Sequence, residues 1–143
     1  MPIWNVPFPR TPFFTGREQL LQNLHDALTH KWTAMRTPAQ IQVISGLGGI
    51  GKTQTAVEYC YRYQHKYQAV LWTRAESETT LQTGFTQLAT LLSLSEAEAQ
   101  NPHETVQAIK RWLEQTPDWL LVLDNADEPD ILRPFLPPLA AMS

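Results

Sequence analysis

Leu81, Phe85, Leu88 and Leu92 recur at spacings of four, three and four, which predicts an amphipathic helix over residues 78–92. The same period appears earlier, where Leu20, Leu21, Leu24 and Leu28 share one face of a helix over 16–32. Thr15 and Glu18 form a capping box in front of it. A helix from about Lys52 to Tyr63 is expected to bury Ala56, Val57, Cys60 and Tyr61. Another opens at Asn101, with Pro102 in its first turn and Glu104 as the capping-box acid. It turns Val106, Ile109 and Leu113 inward.

Three short apolar runs interrupt this helical period. IQVI (41–44), AVLWT (69–73) and WLLVLD (119–124) read as strands. The last shows no alternation, so both its faces are expected to be buried. Helices between strands predict an α/β fold, a parallel sheet flanked by helices. Residues 1–14 are rich in proline and aromatics and are expected to be extended. Residues 35–40 read as a linker, SLSEAEAQ (93–100) as an acidic connector, and Thr116–Asp118 as a turn.

Composition narrows the picture further. A chain of 143 residues is one domain at most, and 43% hydrophobic content supports a packed core. A net charge of −3 gives no electrostatic reason to expect nucleic acid. No apolar run is long enough to span a membrane, and the proline-rich start is no secretory signal. Cys60 is the single cysteine, so no intrachain disulfide is possible. Together these predict a cytoplasmic protein. Acids gather near the C-terminal end, and the stretch Asp124–Asp130 reads as a candidate cation site, with Asp127 the residue to watch beyond Asp124.

The chemistry centres on GLGGIGKT, residues 46–53. Gly46, Gly51, Lys52 and Thr53 fit the G-x-x-x-x-G-K-[ST] phosphate loop, and the motif sits between an apolar strand and an amphipathic helix. Glycines let backbone N–H groups approach phosphate oxygens, and the helix N-terminus adds a positive dipole. Gly46, Leu47, Gly48, Gly49, Ile50, Gly51, Lys52, Thr53 and Gln54 are the expected nucleotide contacts. The Lys52 ammonium is expected to reach the β- and γ-phosphates, and the Thr53 hydroxyl to ligate Mg²⁺. Asp124, closing an apolar strand downstream of such a loop, is the second expected Mg²⁺ ligand and, with Lys52, a catalytic candidate. The expected cofactors are ATP or ADP with Mg²⁺.

Three segments together resemble the NB-ARC branch of the STAND ATPases. They are PFFTGRE (12–18), ISGLGGIGKTQTA (44–56) and LLVLDNAD (120–127). The combination is similar to the nucleotide domain of bacterial tetratricopeptide-repeat NB-ARC proteins. The resemblance implies a signalling switch, closed with ADP and opened to assembly by ATP. It also implies adenine contacts from PFFTGRE, here Phe14, Thr15, Gly16 and Arg17. In the family a winged-helix module and repeats follow, and oligomerisation depends on nucleotide. On this reading residues 1–15 are an extended lead and 16–143 a partial NB-ARC domain without the strands after the Walker B strand.

One residue departs from the family pattern. Many members carry a second acid after the Walker B aspartate, where this chain has Asn125. An amide is no base, so hydrolysis is expected to be slow or absent. Two other readings remain: a small P-loop phosphotransferase, for which Arg74 and Glu76 are the nearby candidates, and a nucleotide-free interaction remnant. Strand order bears on the choice. In the resembling division another strand lies between the P-loop strand and the Walker B strand. An open slot between 41–44 and 119–124 is therefore expected, and direct pairing would favour the phosphotransferase.

Overall fold

A computed structural model describes residues 3–10, 40–43, 50–98, 100–126 and 128–136. Its strands are β1 (Ile3–Trp4), β2 (Gln40–Val43), β3 (Ala69–Arg74) and β4 (Trp119–Asp124). Its α-helices are α1 (Ile50–Tyr63), α2 (Glu78–Leu91) and α3 (Pro102–Gln115), with short 3₁₀ turns at Ser95–Glu98 and Pro129–Phe135. All strand pairs are parallel, in the order β1-β3-β4-β2. The α/β class expected from the helix–strand alternation is thus observed. The helix expected over 16–32 lies outside the described residues.

Residue parity along the strands assigns the two faces of the sheet. Val70, Trp72, Leu120 and Val122 pack with Ala56, Val57, Tyr59 and Cys60 of α1. Leu71, Trp119, Leu121 and Leu123 face the other way, onto Leu81, Phe85 and Leu88 of α2 and Ile109 and Leu113 of α3. Every residue of β4 is buried, as its unbroken apolar run predicts. The Trp119 indole meets its polar need inside this core by donating to Leu113 O at 2.8 Å. Phe135, from the final 3₁₀ turn, stands edge-on to Phe85 at 5.2 Å.

The local signals behave as their chemistry requires. Asn101 caps α3, its side chain accepting from His103 N at 2.9 Å, and Pro102 follows in the first turn. Ser77 caps α2 by accepting from Thr80 N at 3.1 Å. On α1, however, the buried face is misassigned in the sequence reading. Tyr59 is fully buried, whereas Tyr61 is only half-buried. At 3.6 residues per turn, Tyr61 falls beyond Val57 at the rim of the apolar stripe. Its hydroxyl donates outward to Phe8 O at 2.8 Å, while the Tyr59 hydroxyl is shared with Tyr67 at 3.0 Å.

The slot expected between the P-loop strand and the Walker B strand is not there. Gln40 pairs with Leu120, Ile41 with Leu121, Gln42 with Val122 and Val43 with Leu123. The expectation is corrected by simple hydrogen-bond accounting. Among the described residues no strand follows β4. Residues 129–135 form a 3₁₀ helix with Pro134 inside it. An unpaired buried ladder group costs ~1–3 kcal/mol, so β2 and β4 close onto each other.

The extended lead acquires a definite role at the opposite edge. Ile3 N donates to Gln68 O at 2.9 Å and Asn5 N to Val70 O at 3.3 Å. The Asn5 side-chain amide then continues the ladder, donating to Trp72 O at 2.9 Å and accepting from Trp72 N at 2.5 Å. Further along, Arg10 reaches α1 and forks onto Glu58, with Nε–Oε1 3.1 Å and Nη2–Oε2 2.8 Å.

Candidate functional site

The first turn of α1 and the end of β4 converge above the C-terminal edge of the sheet. Parallel strands leave that edge open, and in open α/β sheets ligands bind there. Helix α1 begins at Ile50, inside the glycine-loop motif, so its N-terminus is aimed where the motif chemistry needs it. Thr53 Oγ1 donates to Asp124 Oδ1 at 3.4 Å. The two expected Mg²⁺ ligands are therefore brought together from positions 71 residues apart.

Asp124 is buried, 5% exposed, at the end of a fully apolar strand. Burial pushes its carboxyl pKa up. The Asn125 backbone N–H, the Thr53 hydroxyl, the Trp72 indole and the Arg74 charge each oppose the rise. Trp72 Nε1 contributes to that field without meeting hydrogen-bond geometry. It is buried and has no hydrogen-bond partner among the described residues. Asn125 turns the chain out of β4 with φ 60°, a left-handed conformation that asparagine tolerates well. The residue that departs from the family pattern thus has a backbone task, presenting its own N–H to the carboxylate.

A hydroxyl and a carboxylate at a helix N-terminus are hard oxygen donors, and an octahedral Mg²⁺ takes few protein ligands beside water and phosphate. The residues fit that ion. An orphaned N–H beside the carboxylate fits as well, since it favours the ionised form that a cation needs.

Other expected residues divide between those the structure places and those it does not describe. Gln54 is exposed on α1. The backbones of Ile50, Gly51 and Lys52 lie in the first turn of α1. Gly46, Leu47, Gly48 and Gly49, like Phe14, Thr15, Gly16 and Arg17, lie outside the described residues, as does Asp127. Glu128 and Asp130 are exposed, and no group of three metal-binding side chains occurs among the described residues. Of the described acids in that stretch, Asp124 is the buried one. Arg74 Nε donates to Glu76 Oε1 at 2.6 Å, and both residues are exposed at the strand end. Trp72 is the site residue that sequence reasoning missed. Nothing in AVLWT sets it apart from core residues; only the register brings it onto one face with Asp124.

Residues 35–135 match the AAA-domain family, a span running from before β2 through the final 3₁₀ turn. The chain belongs to the AAA-domain family. As a P-loop ATPase domain it is a nucleotide-binding domain. This AAA domain is also similar to a nucleotide-binding leucine-rich repeat (NLR)-like protein of Hyaloscypha variabilis. The two are 30% identical over 133 residues, which is 90% of this chain and 13% of that protein. The AAA domain thus spans a small part of the length of that relative. No solved structure matches it. Among its described residues, no helix is long and apolar enough to cross a membrane.

Proposed function

We propose that this chain is the ATP/ADP-binding domain of a STAND-type signalling switch of the NB-ARC kind. The observation that carries the reading is the pairing of Thr53 with Asp124 at the N-terminus of a helix that begins within a glycine loop. The loop residues Gly46–Thr53 cradle the phosphates, Lys52 neutralises the β- and γ-phosphates, and Thr53 and Asp124 hold Mg²⁺. Phe14, Thr15, Gly16 and Arg17 contact adenine. The NLR-like relative supports a switch over a metabolic role, because that protein's name joins nucleotide binding to a leucine-rich repeat. In the whole protein, a winged-helix module and repeats follow, and ATP drives assembly in the cytoplasm. Differential affinity of a few kcal/mol for the two nucleotides suffices for such a population shift.

Hydrolysis by this chain is slow. Asn125 supplies no base, and positioned phosphate donors hold a nucleotide without activating water. Mass spectrometry of nucleotide co-purifying with the chain tests the reading. Bound ADP is expected, and a preparation free of nucleotide that also binds none on addition contradicts it.

The phosphotransferase reading keeps one observation in its favour, the direct pairing of β2 with β4. Closure of an otherwise unpaired edge produces the same pairing without a change of division. Arg74, engaged by Glu76 at an exposed strand end, offers no lid, and the AAA-family membership favours the switch.

A further inference from the structure

Trp72 is 5% exposed, yet its indole N–H is buried with no acceptor among the described residues. An indole nitrogen is a donor only, and leaving a buried donor unpaired is costly. Such a group persists in a fold when something holds the ring in place or when an acceptor arrives later. Here the ring is held in place, and a carboxylate shares its face of the sheet.

The ring is held from three sides. Its backbone is clamped by the Asn5 amide, which bonds both Trp72 N and Trp72 O. Phe8 stands edge-on to the ring at 5.7 Å. Beneath it lies the α1 cluster of Ala56, Val57 and Cys60. The N-terminal lead therefore fixes the ring rather than merely covering an edge strand.

A candidate acceptor, outside hydrogen-bond geometry, is on the same face. Trp72 pairs with Val122 and Arg74 with Asp124, so Trp72 and Asp124 are diagonal neighbours pointing to the α1 side. Thr53 Oγ1 already occupies Oδ1 of that carboxylate, at the long distance of 3.4 Å. An ionised carboxylate accepts at several further positions.

We infer that Trp72 is a positioning residue of the Mg²⁺ site, its indole N–H orienting the Asp124 carboxylate for the ion. The inference rests on the nucleotide-binding reading. It adds that the N-terminal lead, through Asn5 and Phe8, sets the geometry of the cation site from the far edge of the sheet. Outer partners of this kind orient a ligand and tune its basicity, and their loss costs metal affinity about 10–100-fold.

The test measures metal binding directly, with Mn²⁺ as the probe. ADP-loaded wild type, Trp72→Phe, and a variant with benzothienylalanine at position 72 (the indole N–H replaced by sulfur, the shape kept) are titrated with Mn²⁺ and read by electron paramagnetic resonance. ADP affinity in EDTA is measured alongside by calorimetry. Expected is a loss of Mn²⁺ affinity of about tenfold or more in both variants, with ADP affinity in EDTA within about twofold of wild type. Unchanged Mn²⁺ affinity in either variant overturns the inference. Parallel loss of ADP affinity in EDTA overturns it too, because it marks a packing role. Wild type that binds ADP but no Mn²⁺ overturns the inference and leaves nucleotide binding standing. Wild type that binds no ADP in EDTA overturns the nucleotide reading and this inference together.

Discussion

Thr53 Oγ1 on the first turn of α1 donates to Asp124 Oδ1 at the end of β4, across 3.4 Å. This contact ties the helix behind the glycine loop to strand β4. It also engages a buried carboxylate that forms no ion pair among the described residues. Burial sets a cost on the charged form of Asp124.

Asp124→Asn is therefore expected to raise the melting temperature in EDTA while removing the dependence of ADP affinity on Mg²⁺. The sign follows from the pKa. Asp124 is raised by burial, so protonation favours the fold, and that stabilisation is lost as pH rises through the folded pKa. The ionised carboxylate is the costly form in the fold, and a neutral isostere relieves it. Thermal denaturation of both proteins in EDTA checks this; a lower melting temperature for the variant contradicts it.

Gly84 sits on α2 with no room for a side chain. A Cβ there would stand 1.8 Å from Thr73 Oγ1. Ala is favoured over Gly in a helix by about 1 kcal/mol, but overpacking against a stiff β-branched neighbour costs about 1–3 kcal/mol. Gly84→Ala is expected to be net destabilising, and Thr73→Ala in the same chain to restore much of the loss. A double-mutant cycle by urea denaturation measures the coupling; additive effects would refute the contact.

Glu58 is 3% exposed in its side chain and is held by Arg10 at 2.8 Å and by Arg62 at 3.3 Å. Arg10→Ala removes the bidentate partner and leaves Arg62. A loss of about 1–3 kcal/mol is expected, the cost of an incompletely satisfied buried acceptor. With Glu58→Gln present first, Arg10→Ala should cost less. Equal costs in both backgrounds would mean that the lead docks without this pair.

Alkali should unfold the protein early. Burial pushes the Cys60 thiol up to about 12, and burial likewise raises the Tyr67 phenol to about 12. Both are acids whose neutral form the fold favours. Their contribution is complete below the unfolded values, near pH 9 and 10, and is lost as pH rises toward 12. Urea midpoints are expected to be flat to about pH 8.5 and then to fall. At pH 8, Cys60 is expected to resist a thiol reagent until denaturant is added; fast labelling of the native protein would contradict its burial.

Much of this architecture was legible in the pattern of residues. WLLVLD fixed a doubly buried strand because nothing in it alternates, and Asn101-Pro102 marked a helix start because a cap and a proline have one sensible order there. The candidate site was legible at Thr53 and Asp124, since the spacing of a glycine-loop motif and an acid after an apolar strand carry the chemistry in themselves. Direct β2–β4 pairing was not, because strand order depends on which ladder groups find partners, a global matter. Nor was Trp72 legible. A tryptophan in AVLWT reads as core, and only the register places it on one face with Asp124.

The central claim is that GLGGIGKT binds an adenine nucleotide. Calorimetric titration of ADP with Mg²⁺ into wild type and Lys52→Ala tests it most directly. Lys52 lies at a helix start, so its removal is expected to leave the circular dichroism spectrum and melting temperature close to wild type. Saturable, one-to-one binding by wild type and none by Lys52→Ala is the predicted result. Equal affinity in the two proteins, or no binding by a folded wild type, would contradict it.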